Sequence, residues 1–418
     1  MKTVTLTEGV TLRTQELEKF KTTLVTFNIY TREEESEAGI SAFLSGLLSC
    51  GYPEYRTLSE LNKKLDSLYG ASLFGTASKC GDLREIKLGF RGLKEKYTEG
   101  SVIEELTELL MKLVFGIAEL KELPKDIFDR EKEIFNKKRL AAKNEKRSFA
   151  RSRCEEEAAA GEPFGFSLYG SDESVASITS KTATEKVREL LEKSDIIINL
   201  FGAENEQRLT EIFNKYFSKI KRNYKPVSSD IVKATERKKE VVDNQDIAQG
   251  KLVMAFRSAS PEFQNNSGAS RLLCDIFGGG PYSKLFNNVR EKKSLCYYCS
   301  ARAVRKKGLI FVESGVDFSN IEAAKNAIIQ EFEDMKAGKI SDDELDFSKK
   351  GLTDFLMSAA DDELLFERWY SIEGTAINPE SPEQFALKVK NSRKEEITAL
   401  ANTFSLDTVY ILKNGEAK

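Results

Sequence analysis

Residues 278–317 hold most of the side chains in this 418-residue chain whose types and spacing could do chemistry. They comprise a glycine run (Gly278, Gly279, Gly280), a charged cluster (Arg290, Glu291, Lys292, Lys293), a cysteine pair (Cys296, Cys299) and Tyr297. Glycines ahead of a lysine suggest phosphate binding. A phosphate loop needs G-x-x-x-x-G-K-[ST], so that lysine reaches phosphate and a hydroxyl reaches magnesium. Here Pro281 follows the glycines and the run ends in Ser283-Lys284, which excludes that chemistry. The cysteines make a lone C-x-x-C. On a strand, residues three apart point to opposite faces, so neither a disulfide nor a shared metal is expected, and core packing is the better reading. The chain contains no histidine. Serine- or cysteine-histidine triads and imidazole zinc ligands are therefore excluded. Any general base would be carboxylate, lysine, tyrosine or cysteine.

These groups need elements to hold them. Glycine and proline open the stretch as a turn. Leu285 and Val289, four apart, share a helix face, and residues 294–304 and 308–316 alternate as strands do. Upstream, 22–30 (TTLVTFNIY) reads as a strand with Val25, Phe27 and Ile29 on one face, and 39–50 (GISAFLSGLLSC) as a short buried helix. Thr57-x-x-Glu60 is a capping box ahead of the stripe Leu58, Leu61, Leu65 and Leu68; strands follow at 71–77 and 87–90. Helices are expected at 102–118 and, long and charged, at 128–146. Residues 195–201 (DIIINLF) read as a fully buried strand and 208–217 as a helix. Residues 219–239 are basic, contain Pro226 and show no period, so they read as an interdomain linker. Acidic neighbours Glu236, Glu240 and Asp243 argue against nucleic-acid binding. A strand at 251–256 and a helix at 267–277 follow. Ser319-x-x-Glu322 and Ser341-x-x-Glu344 propose two more capped helices, the second with the stripe Leu345, Leu352, Phe355 and Leu356; 408–412 is a last strand.

The chain is too long for a single core. With 40% hydrophobic and 31% charged residues and a net charge of -3, it reads as a globular protein without a basic surface for nucleic acid or membrane. It has no 18-residue apolar run for a membrane span, and its start does not read as a signal peptide. Six scattered cysteines suit reduced thiols and a cytoplasmic location.

Residues 278–297 resemble the C-terminal half of the pitrilysin/insulinase peptidase family, in which G-G-G-x-x-S-x-L-F precedes V-R-E-K-x-x-L-x-Y. Gly280, Ser283, Leu285, Phe286, Val289, Arg290, Glu291, Lys292, Leu295 and Tyr297 fit. Without that motif Arg290 is a solvated helix charge and Tyr297 a strand aromatic. The resemblance makes them the pair that reaches toward a substrate peptide, a task suited to a guanidinium and a phenol, which can hydrogen-bond a peptide carbonyl and its developing oxyanion. Residues 163–179 fit a second family segment through Gly165, Gly170, Val175, Ile178 and Thr179.

Active members carry H-x-x-E-H within G-L-x-H-F-L-E-H-x-L, two histidines binding zinc and the glutamate activating water. Here Gly39, Ile40, Phe43, Leu44 and Leu48 keep the frame, while the three chemical positions are Ala42, Ser45 and Gly46. The third ligand, a glutamate in R-x-x-V-I-x-x-E, falls near Lys138, where the segment 130–138 offers lysine at the ligand position. The resemblance thus implies no metal, no cofactor and no catalytic residue in this chain alone. It implies an α+β fold of two similar halves, each an antiparallel-rich sheet covered by helices: 1–220 with the degenerate zinc site, a linker at 221–245, and 246–418 with the Arg/Tyr motif. Ser59-x-Leu61…Leu65…Leu68-Tyr69 resembles Ser283-x-Leu285…Val289…Leu295-x-Tyr297, as duplicated halves would. The implied role is a partner subunit of a zinc-containing homologue in a peptide-binding heterodimer. A scaffold or peptide-binding module without proteolysis is the alternative, and an independent peptidase comes last. Leu65-x-x-Leu68-Tyr69-Gly70-Ala71 likens the chain to zinc-less bacterial members associated with 5-aminopentanol modification of elongation factor P.

Overall fold

The computed structural model describes residues 1–232, 239–372, 374–376 and 379–415, so residues 233–238 of the expected linker lie outside it. The described strands form two sheets. The first comprises β1 (Lys2–Thr7), β2 (Val10–Gln15), β3 (Thr22–Arg32), β4 (Ser72–Cys80), β5 (Leu83–Leu93) and β6 (Asp195–Phe201), in the order β1-β2-β6-β3-β5-β4. The second comprises β7 (Lys239–Asn244), β8 (Gly250–Ser258), β9 (Cys296–Val304), β10 (Leu309–Val316) and β11 (Phe404–Lys413), in the order β7-β11-β8-β10-β9. Without β1, the two orders correspond strand for strand. The first pair is parallel in each (β2 with β6, β7 with β11) and every other pair is antiparallel. The expected α+β architecture of two similar halves is thus present. β7 begins inside the stretch read as linker, because its partner β11 lies far along the sequence and leaves no local period.

The chain divides into two compact units. One takes Met1–Leu140, Phe166–Ser228 and Asp362–Pro379; the other takes Ala141–Gly165, Ser229–Asp361 and Glu380–Lys418. In the first unit, Val25, Phe27 and Ile29 of β3 pack with helices Ile40–Ser49, Val102–Glu119, Ser180–Lys193 and Glu206–Phe217 in one apolar core. The alternate residues Thr26, Asn28 and Tyr30 are polar yet equally buried. Helix Glu363–Ile372 accounts for this. Its Glu367 accepts from Thr26 (3.0 Å) and from Lys87 Nζ (2.6 Å), and its Phe366 and Tyr370 pack on Phe201 at 5.3 and 5.9 Å between ring centres.

In the second unit, Phe256, Phe277, Phe332 and Phe404 form a chain of ring contacts between β8, β11 and helices Ser267–Gly278 and Ile321–Lys336. Helix Lys146–Ala158 also belongs here: Ala150, Cys154 and Ala158 share a cluster with Val253, Phe311 and Tyr410. The single helix expected over 128–146 is therefore two. Lys125–Asn144 ends, and Glu145 leaves helical geometry (φ −79°, ψ 96°). Its carboxylate then accepts from the N–H groups of Arg147 (3.1 Å) and Ser148 (2.6 Å), capping the second helix. The capping boxes at Thr57 and Ser341 form as expected. The one at Ser319 does not: Asn320 is the N-cap, and Glu322 pairs with Lys325 at 2.8 Å. Phe355, placed on an apolar stripe by sequence, is 48% exposed.

Candidate functional site

In the first unit, helix Ile40–Ser49 is fixed at its N-terminal end. Gly39 at its N-cap has φ 96°, and a Cβ there would meet the Tyr169 carbonyl at 2.9 Å, so only glycine fits without strain. The Ser41 N–H donates to Glu33 Oε1 (2.9 Å), whose other oxygen pairs with Arg84 Nε (3.1 Å). Both side chains are almost wholly buried. Phe43 packs edge-on against Phe128 and Phe135 of helix Lys125–Asn144, at 5.8 Å each. One turn beyond Phe135 comes Lys138, whose Nζ lies 4.0 Å from where a Cβ on Gly46 would stand.

The zinc-motif positions therefore offer a methyl group at Ala42, no side chain at Gly46, and at Ser45 a hydroxyl in place of the water-activating glutamate, with the Lys138 ammonium close by. The Ser45 hydroxyl donates to the Ala42 carbonyl at 2.9 Å. Zinc needs thiolate, imidazole or carboxylate, and a fixed cation repels it. These residues do not fit the metal. Among the described residues, no group of three or more histidine, cysteine, aspartate or glutamate side chains could hold an ion. β4 packs tightly on this helix: a Cβ at Gly75 would fall 2.0 Å from the Ser45 carbonyl oxygen.

In the second unit the glycine run closes helix Ser267–Gly278. None of its glycines is among those with positive φ; what two of them supply is close approach. A Cβ on Gly278 would lie 2.5 Å from the Ala301 nitrogen of β9, and one on Gly279 2.2 Å from Asp275 Oδ1. Burial pushes the Asp275 carboxyl above the usual carboxylate range, although the Tyr282 hydroxyl donates to it at 2.9 Å.

Leu285–Lys292 is a π-helix, a rare wide winding that is frequent at functional sites. Leu285 and Val289 anchor it in the core. Arg290 leaves its outer side, with its guanidinium 4.6 Å from the Phe286 ring centre and 3.6 Å from the Glu291 carboxylate. Tyr297, 58% exposed, donates to Asp317 Oδ1 at 3.0 Å, and this hydrogen bond raises the phenol pKa. Arg290 and Tyr297 thus each have a partner other than the other. Asp317, the first residue after β10, is a member of this group that sequence reasoning missed; nothing local marks it.

The two helix-to-strand passages that resemble each other in sequence also match in geometry. Leu58–Ser67 leads through Tyr69 (φ 60°) to β4, and the π-helix leads through Ser294 (φ 49°) to β9. Each is closed by the same six-residue hydrogen bond, Ala71 N–H to Leu65 O and Leu295 N–H to Val289 O, both 3.1 Å. β4 and β9 hold equivalent edge places in their sheets.

The strand geometry corrects the reading of Cys296 and Cys299. Cys296 pairs with Val316, Tyr298 with Gly315 and Cys299 with Ser314, so Tyr297 is an extra residue in β9. This bulge shifts the alternation by one. Both cysteines then face the side of the sheet that carries Ser314 and Val316. All six cysteines are free.

Comparison with known proteins agrees with these features. Residues 177–352 match the family model described as the peptidase M16 inactive domain. The chain is 28% identical over 421 aligned residues to a probable inactive metalloprotease of Bacillus subtilis, YmfF, covering 98% of this chain and 96% of that protein. In fold it is similar to a conserved protein of Enterococcus faecalis (TM-score 0.89, 23% identity, 100% and 99% of the two chains). It is also similar to a peptidase M16 inactive domain from Pseudomonas fluorescens (TM-score 0.78, 15% identity, 100% and 99%). Ala42, Ser45 and Gly46 stand at the zinc-motif positions, and the chain is similar to the peptidase M16 inactive domain over residues 177–352 and to a probable inactive metalloprotease over nearly its whole length.

Proposed function

We propose that this chain is a non-catalytic partner subunit that pairs with a zinc-bearing homologue in the cytoplasm and supplies chamber wall and peptide contacts to a site completed by that homologue. The observation that carries this reading is the contrast between the two motifs. The helix frame Gly39, Ile40, Phe43, Leu44 and Leu48 is kept while every donor is gone, with Lys138 beside Gly46. Arg290 and Tyr297 keep groups that can hold a peptide carbonyl. Arg290 is partly exposed, beside the adjacent Glu291 carboxylate and the Phe286 ring, and Tyr297 is largely exposed, so both can exchange their present partners for a substrate. Expressing the chain alone and together with a zinc-bearing homologue, then measuring mass, metal content and peptide cleavage, tests the proposal. A stable two-chain species that cuts peptides, with zinc in the homologue alone, is the expected result. A monomer that neither binds the homologue nor changes its activity would overturn it.

The nearer kinship, to members associated with 5-aminopentanol modification of elongation factor P, is proposed on Leu65-x-x-Leu68-Tyr69-Gly70-Ala71. The consecutive left-handed residues Tyr69 and Gly70 (φ 60° and 69°) turn that segment into β4. Co-purification of a modification enzyme in place of a zinc homologue would favour an accessory, non-proteolytic role.

A further inference from the structure

We propose that Tyr282 is a positioning residue, whose hydroxyl, seated between Asp275 and Gly351, latches the π-helix that carries Arg290. The latch rests on packing alone; its consequence for the site rests on the peptide-binding reading. A π-helix is rare beside the α-helix, so neighbouring elements must hold one in place. Leu285–Lys292 is held in its middle by the buried Leu285 and Val289. Asn288 Nδ2 adds a hydrogen bond to Glu331 Oε2 of helix Ile321–Lys336 at 2.7 Å. Its start is held by the turn before it. The Tyr282 hydroxyl donates to Asp275 Oδ2 of helix Ser267–Gly278 at 2.9 Å. Lys284 Nζ lies 2.9 Å from Glu344 Oε1 of helix Asp342–Ala359. Between them, the Ser283 carbonyl accepts the Asn287 N–H at 2.9 Å and ties the first turn to the same point.

Three glycines make room for this contact. A Cβ on Gly279 would fall 2.2 Å from Asp275 Oδ1, and one on Gly280 3.0 Å from Tyr282 Cζ. The third, Gly351, is distant in sequence and stands in the interior of the 18-residue helix Asp342–Ala359. It is not among the glycines with positive φ, so no turn explains it, and a helix interior disfavours glycine. A Cβ on Gly351 would fall 2.7 Å from the Tyr282 hydroxyl oxygen, closer than two such atoms pack. The helix thus gives up propensity where the phenol needs space. Burial, with the Asp275 carboxylate beside it, pushes that phenol up to about 12, so it stays a donor across the neutral range.

The test is hydrogen exchange of the full chain, read by mass spectrometry. Tyr282→Phe keeps the ring and removes the donor. It should speed exchange of amides 285–293 about two- to tenfold, the range one net hydrogen bond commands, and leave helix Ile321–Lys336 at the wild-type rate. Gly351→Ala improves its own helix, yet should speed the same amides by pushing the hydroxyl off Asp275. In the double variant the added methyl meets no hydroxyl, so exchange should match that of Tyr282→Phe. In the two-chain species, Tyr282→Phe should slow cleavage of an internally quenched peptide by the same factor, and by nothing further once Arg290 is alanine. The latch is overturned if amides 285–293 exchange at the wild-type rate in Tyr282→Phe, if helix Ile321–Lys336 speeds up equally, or if Gly351→Ala adds to Tyr282→Phe. Unchanged cleavage by Tyr282→Phe in a pair that needs Arg290 would overturn the positioning role. Exchange is read on the chain alone, so a pair that cuts no peptide would refute the peptide-binding reading while exchange still decides the latch.

Discussion

Replacing Arg84 by methionine should destabilise the first unit more than any exposed substitution. Arg84 Nε lies 3.1 Å from Glu33 Oε2, with side-chain exposures of 0% and 1%. Arg84 Nη2 also donates to the Phe166 carbonyl at 2.8 Å, and Glu33 Oε1 accepts the Ser41 N–H at the start of the helix that carries Ala42, Ser45 and Gly46. Removing the guanidinium leaves a buried carboxylate without its counter-charge, which costs about 3–5 kcal/mol. At roughly 2–4 °C per kcal/mol for a unit of this size, the melting temperature should fall by about 6–20 °C. The double variant E33Q/R84M removes the charge while keeping an acceptor for Ser41, and should recover about 1–3 kcal/mol of that loss. The chain has one tryptophan, Trp369, on helix Glu363–Ile372 in the same unit. Denaturant unfolding followed by its fluorescence therefore reads the right part of the molecule. A loss below about 1 kcal/mol for R84M, or a double variant no better than the single one, would refute the view that this pair pins the helix.

Three further outcomes are expected. Arg290→Ala should lower cleavage by the reconstituted two-chain species about 100- to 1000-fold, as loss of one oxyanion donor does, without changing its melting temperature; unchanged cleavage would remove Arg290 from the site. The quadruple variant A42H/S45E/G46H/K138E should bind one equivalent of zinc by elemental analysis. The triple variant that keeps Lys138 should bind at least about tenfold more weakly, since a divalent ion about 4 Å from an ammonium costs about 2 kcal/mol even at the dielectric of water. Asp275 is raised above its ordinary value mainly by burial, so the folded chain holds its proton over a range above pH 3.8 where the unfolded chain has released it. Its contribution is present at acid pH and is lost as pH rises through that window. Melting temperatures of Asp275→Asn should therefore lack the decline that wild type shows there, and parallel profiles would argue against this assignment.

Local pattern carried much of the fold. The alternation of Val25, Phe27 and Ile29 marked β3, the isoleucine-rich DIIINLF run marked β6, and the boxes at Thr57 and Ser341 marked helix starts, because strand and helix periods and caps are properties of neighbouring residues. Patterns that depend on a distant partner did not read through. β7 shows no period of its own and exists through β11. The helix expected over 128–146 breaks at Glu145 because Ala150 and Cys154 find their apolar surface on β8 and β11, while Phe135 finds its own against Phe43. Asn320 displaced Ser319 as a cap, a choice of one residue that sequence alone did not resolve.

For the site, residue types settled what chemistry is gone. No histidine and no carboxylate stand where a metal would need them, and no folding can create a ligand from Ala42 or Gly46. Tertiary structure alone decided which of the remaining groups meet. Lys138 comes to Gly46 through the Phe43–Phe135 contact, and Tyr297 finds Asp317 across the β9–β10 pair. Cys296 shares a sheet face with Cys299 because pairing with β10 leaves one extra residue in β9. A side chain's chemistry is written in its own atoms, whereas its neighbours are set by strand register and helix packing that span the whole chain.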